Sequence, residues 1–74
     1  MENGIKKINK FLDDLRDKYQ IKSDRHLAQL MEITPSNISR VRSGRIPFGP
    51  AYTLVVHEVF DIPIKQIKER IGAA

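Results

Sequence analysis

Ser36, Asn37 and Arg40, followed closely by Arg42 and Arg45, are the residues in this chain best suited to do chemistry. They supply hydroxyl, carboxamide and guanidinium groups. Carboxamides and guanidinium groups can make paired hydrogen bonds to purine edges, and guanidinium groups neutralise phosphates. On a helix, Arg40 lies at i+4 from Ser36 and i+3 from Asn37, so the three share one face. Ile38 and Val41 then point the other way. A polar face of this kind becomes a reading surface only if the chain holds the helix outward.

The elements that would hold it lie in residues 23–44, SDRHLAQLMEITPSNISRVRSG. This stretch reads as two short helices joined by a tight turn, the layout of a helix-turn-helix whose second helix enters the DNA major groove. Ser23 is a good N-cap, with Asp24 and Thr34 in similar positions. Asp24 also suits the positive end of a helix dipole. Pro35 fits the first helical position, where its missing N–H costs nothing. Leu27 and Met31 share a face, as do Ile38 and Val41. Ala28 is small where the helices must cross, and Ile33 would plug the angle between them. The apolar spacing alone would suit any amphipathic helix pair. The caps and the cationic outer face favour the more specific reading.

The rest of the chain reads as all-α, a compact five-helix domain spanning residues 1–74. Ile5, Ile8, Leu12, Leu15 and Tyr19 form an amphipathic stripe over residues 4–19, with Phe11 beside them and Asn3 as a cap. Helices are expected at 23–31 and 35–43, the latter stopped by Gly44. Pro50 opens a fourth helix running to about Phe60. Pro63 opens a fifth, striped by Ile64, Ile67 and Ile71. Leu54-Val55-Val56 has β-propensity and is the one competing strand signal. A chain of 74 residues buries only about 60% of its unfolded surface, so modest stability is expected.

These residues resemble the helix-turn-helix of the phage Cro and repressor family, and especially the lysogeny-establishment transcription activators of lambdoid phages. The likeness rests on Ala28, Ile33, Ile38-Ser39-Arg40, and Arg45-Ile46-Pro47 leading into the apolar helix AYTLVVHEVF. It covers roughly residues 23–60. The family usually has Gly at the turn position held here by Glu32, and such a turn often needs a positive φ that Glu resists. The resemblance implies that Ser36, Asn37 and Arg40 face base edges, with Asn37 suited to adenine and Arg40 to guanine. It implies phosphate contacts for Ser23, Thr34, Arg42, Ser43 and Arg45. Pro35 could offer only apolar contact, for instance to a thymine methyl. Ser39 is expected half-buried against the preceding helix.

Charge placement agrees with a DNA partner. The net charge is +4, and no acidic residue lies between Glu32 and Glu58, a span holding Arg40, Arg42 and Arg45. The acids Asp13, Asp14 and Asp17 fall on the first helix, where Lys10–Asp14 and Asp14–Lys18 pairs suggest a solvated face. Lys6, Lys7 and Lys10 read as solubilising charge, with a flanking phosphate contact as the alternative.

Other function classes lack their chemistry. There is no cysteine, and His26 and His57 have no metal-ligand spacing, so no metal and no cofactor is expected. No nucleophile sits with an evident base, and no Gly-rich phosphate loop is present, so the chain does not read as an enzyme. His57, in a very apolar helix, reads as a packed or interface residue. No apolar run reaches membrane-spanning length and the N-terminus lacks a secretory pattern, so a cytoplasmic protein is expected.

The expected function is a sequence-specific, double-stranded DNA-binding transcriptional regulator of phage type, acting as a homodimer on its operator. No membrane or small-molecule partner is expected. The late segment 57–71 carries more large apolar residues than one small core needs, and Val59, Phe60, Ile62, Ile64 and Ile67 are expected to supply a two-fold interface. The alternative is a protein-interaction module, such as an antitoxin-like component that retains the fold. RNA binding ranks third, because no aromatic-bearing sheet is indicated.

Overall fold

A computed structural model describes residues 2–72. Its five helices are α1 (Glu2–Lys18), α2 (Asp24–Leu30), α3 (Pro35–Arg42), α4 (Pro50–Phe60) and α5 (Ile64–Ile71). No strand occurs among the described residues, and Leu54-Val55-Val56 lies within α4. Since α1 begins at Glu2, Asn3 falls inside the helix and not at its cap.

One core draws on every helix. Leu12, Leu27, Met31, Ile38, Val41, Val56 and Ile67 are almost wholly buried, joined by Phe11, Leu15, Ile21 and Ile71. Ala28 is fully buried where α2 meets α3, as its small side chain requires for close helix approach. Ile33, Ile46, Tyr52, Val55, Phe60 and Ile62 seal the edges. Phe11 and Phe48 meet edge-on at 6.2 Å between ring centroids, which ties α1 to the link before α4.

The first three helices end in the same way. After α1, the N–H of Gln20 bonds Asp17 O and that of Ile21 bonds Arg16 O. After α2, Glu32 and Ile33 repeat the pattern onto Gln29 and Ala28. After α3, Gly44 and Arg45 repeat it onto Val41 and Arg40. This paired bonding is the Schellman motif, and it requires a left-handed residue at its centre. Gln20, Glu32 and Gly44 accordingly have φ of 55°, 56° and 79°. Glu32 therefore holds the conformation that the turn demands and that its side chain disfavours. Ile21 and Ile33 follow their left-handed residues and tuck into the core, which fixes the direction of each exit.

The expected interface residues divide in this fold. Ile67 is wholly buried, so it belongs to the domain's own core and cannot form a two-fold contact. Phe60 is half-buried and packs on Tyr19, with ring centroids 4.8 Å apart. Ile62 is half-buried against the core, whereas Val59 and Ile64 are exposed. Tyr19 is itself largely exposed, at the margin of the α1 stripe, and donates its hydroxyl proton to Phe60 O at 3.3 Å.

Candidate nucleic-acid interface

The face of α3 is set by its caps and its apolar stripe. Ile38 and Val41 are sunk into the core, so Ser36, Ser39 and Arg40 stand exposed. Asn37 is half-buried. Ser39 is thus part of the outer surface and is not packed against α2 as expected. Pro35 is the first residue of the helix, and Thr34 precedes it with extended backbone. The Thr34 hydroxyl caps nothing; only its carbonyl is used, accepting from the Asn37 N–H at 3.0 Å. That hydroxyl is free for an external partner.

Ser23 does cap α2. Its Oγ accepts from the His26 N–H at 3.0 Å. A hydroxyl engaged as an acceptor keeps its own proton to donate, so an additional phosphate contact is chemically open to it. At the far end of α3, Ser43 donates its hydroxyl proton to Arg40 O at 3.1 Å. Its oxygen can then accept but not donate, which suits it poorly to an anion. Arg45 is exposed just beyond Gly44.

Arg40 donates to Asn37 Oδ1 at 3.3 Å along the outer face. This contact leaves the Asn37 amide nitrogen and the other Arg40 donors available. Within the described residues, neither Arg40 nor Arg45 forms an ion pair.

Arg42 departs most from expectation. Its guanidinium is turned inward and makes four hydrogen bonds. Nε donates to Asp24 Oδ2 at 2.7 Å, Nη1 to Asn9 Oδ1 at 2.8 Å, and Nη2 to Asp13 Oδ1 and Asp24 Oδ1 at 2.9 and 3.0 Å. The Arg42 side chain is 19% exposed. Burial works against its charge, but the bonds to Asp24 and Asp13 outweigh that and hold the guanidinium above its ordinary pKa. Arg42 is therefore a clamp between α1, α2 and α3, and the expected phosphate contact is withdrawn.

Asp24 and Asn9 complete this hub. Asp24 also receives Arg16 Nη1 at 3.3 Å, and Arg16 reaches the carbonyls of Ile21 and Lys22. Asn9 Nδ2 donates to Arg42 O and Ile5 O, both at 3.0 Å. The Asp24 charge that would oppose a phosphate at the start of α2 is thereby partnered from two sides. No local sequence signal marks the hub, because Arg42 lies 33 residues from Asn9 and 18 from Asp24.

Asp14 of α1 is also committed. Asp14 takes a short hydrogen bond from Arg70 of α5 and a weaker one from Lys10, at 3.4 Å. The Arg70 bond holds the Asp14 carboxyl below its ordinary pKa. The Arg70 guanidinium also lies 5.4 Å from the centre of the Phe11 ring. What reads as a solvated helix face is thus partly an interhelical seam.

The observed ion pairs lie around α1 and its contacts with α2, α3 and α5, while the outer face of α3 carries cations without acids. His57 is half-buried, with Nδ1 2.7 Å from Ile62 O. A carbonyl oxygen only accepts, so the Nδ1 nitrogen carries a proton and pins the α4–α5 link. No group of acids and histidines able to hold a metal ion occurs among the described residues, and no helix there is long and apolar enough to cross a membrane.

The chain matches no family model, no curated protein and no solved structure.

Proposed function

We propose that this chain binds double-stranded DNA sequence-specifically and regulates transcription, with α3 in the major groove. One observation carries the reading. The outer face of α3 combines hydroxyl, amide and guanidinium groups, and Arg40 on it and Arg45 just beyond it form no ion pair, whereas Arg16, Arg42 and Arg70 are each held by an aspartate. An acid-free cationic surface gains from releasing the counterions condensed on DNA. An α-helix fits the major groove, where each base pair shows its own donor and acceptor pattern.

Within this reading Ser36, Asn37 and Arg40 face the bases. The Arg40–Asn37 contact holds the two side chains side by side before DNA arrives, which reduces the ordering cost on binding. Arg45 and Thr34 hold phosphates at the two ends of α3. Ser23 donates to a phosphate at the start of α2. Ser43 is the weakest member of the set, since its proton is already used. The phage-type character rests on the resemblance alone.

The test is binding of Arg40→Ala and Arg45→Ala to a selected duplex and to a scrambled one across a salt series. Arg40→Ala is expected to weaken the selected duplex by about 1–3 kcal/mol and relax preference at one base pair. Arg45→Ala is expected to weaken both duplexes alike and lower the salt slope by about one. No salt-dependent binding of the unmodified protein to any duplex would reject the reading in favour of a protein-interaction module.

A further inference from the structure

We propose that the groove between α4 and the turn joining α2 to α3 is a docking site for a cationic amphipathic helix of another protein. Nearly every residue of α4 is apolar, yet only Thr53 and Val56 are buried. Ala51 and Val59 stand exposed, and Val55 is half-buried. These three line a groove with Ile33, and Glu32 and Glu58 line it as well. A helix that is apolar on all sides is normally covered on all sides.

The groove is acidic on a basic chain. The net charge is +4, and Glu32 and Glu58 are the only acids between residues 25 and 60. Folding brings both to this one groove, although they lie far apart in sequence. Both are exposed, and among the described residues neither forms an ion pair. Asp13, Asp14 and Asp24, by contrast, are each held by a cation. Glu32 carries a separate sign. Its φ of 56° is left-handed, a conformation that strains any residue with a Cβ. Strained residues of this kind cluster where a protein clamps or contacts something else.

Two carboxylates beside apolar side chains complement a partner that carries lysine or arginine next to an apolar stripe. They repel DNA and anionic lipid alike, which leaves a protein as the occupant. That occupant is a helix, because the five helices offer no strand edge on which an extended segment could pair. A helix satisfies its own backbone groups and needs only a groove for its apolar stripe. A second copy seated groove to groove would instead bring both pairs of carboxylates together. Neither Ser36 nor Arg40 lines the groove, so an occupant leaves the outer face of α3 open. The docking site therefore stands or falls separately from DNA binding.

The experiment uses the whole chain without DNA. Synthetic helical peptides share one leucine stripe and differ only in its flanks, which are lysine and arginine, glutamine, or glutamate. Fluorescence anisotropy should show the cationic peptide bound most tightly, the glutamine peptide less so, and the glutamate peptide not at all. Amide and methyl NMR shifts should move at Glu32, Ala51, Val55 and Val59. Replacing both carboxylates, Glu32→Gln with Glu58→Gln, should weaken the cationic peptide about fivefold and leave the glutamine peptide unchanged, with helical content kept. Val59→Asn should weaken those two peptides alike. Equal binding of the cationic and glutamate peptides, shifts that fall elsewhere, or no binding of the cationic peptide would overturn the proposal. So would self-association of the free chain that Val59→Asn abolishes, which would give the groove to a second copy.

Discussion

Replacing Arg42 by alanine separates a clamp from a phosphate contact. The substitution removes the Arg42 bonds to Asp24, Asp13 and the Asn9 side-chain oxygen. A hydrogen bond to a charged group contributes about 1.5–3 kcal/mol. The Asp13 side chain is 64% exposed, so its share is small after solvent screening. The Asp24 side chain is 35% exposed and retains Arg16, which softens the penalty of leaving it behind. The paired Asp24 contact then dominates, and the net loss should be about 2 kcal/mol. For a domain of this size each kcal/mol moves the midpoint by about 4–8 °C, so Tm should fall by about 8–16 °C. Circular dichroism melts give the stability. Salt titrations of duplex binding, well below the lowered Tm, give the phosphate count. A clamp lowers Tm and leaves the salt slope unchanged. A slope reduced by about one with Tm nearly unaffected would refute the reasoning and return Arg42 to the phosphate set.

Other substitutions probe the turns and the α1–α5 seam. Glu32→Gly relieves a left-handed residue at about 1 kcal/mol and loosens the unfolded chain by a comparable or smaller amount, so stability should be unchanged or slightly raised with DNA affinity kept; a clearly lower Tm would show that the Glu32 side chain contributes a needed contact. Gly44→Ala should be destabilising, because φ is +79° and the new Cβ would come within 2.6 Å of Ile5 Cδ1; a loss of about 1 kcal/mol or more in denaturant melts is expected from the backbone alone. Asp14 has its pKa lowered by Arg70, so the folded state binds its proton less readily than the unfolded chain. Its contribution is present above the ordinary carboxylate range and is lost as pH falls through the lowered value. Asp14→Asn should therefore flatten the acid side of the stability–pH profile, and an unchanged profile would contradict the Arg70 pairing.

Much of this fold is written in short-range pattern. Apolar residues three and four apart, Ser23 before α2, Pro35, Pro50 and Pro63 at or just before helix starts, and Gly44 at a helix end mark all five helices and the turn between α2 and α3. These are local decisions, made by capping groups, fixed φ values and helical periodicity. For the same reason, the outward direction of Ser36 and Arg40 follows once Ile38 and Val41 are seen to point inward. The left-handed turn at Glu32 was likewise foreshadowed by the glycine usual at that position in the family this segment resembles.

Tertiary packing decided what local pattern leaves open. Arg42 sits at the end of α3 and, in the sequence, reads like Arg40 and Arg45. Only the approach of Asn9, Asp13 and Asp24 turns it inward. Ile67 and Ile64 occupy equivalent places in one stripe, yet α1 and α4 cover the first and leave the second at the edge. Gln20 and Asp61 become left-handed because the core dictates where the chain must go after α1 and α4, although neither residue is a strong signal for it. Periodicity reports which face of a helix is apolar. Which charges are spent within the domain, and which remain for a partner, depends on contacts between residues far apart in the chain.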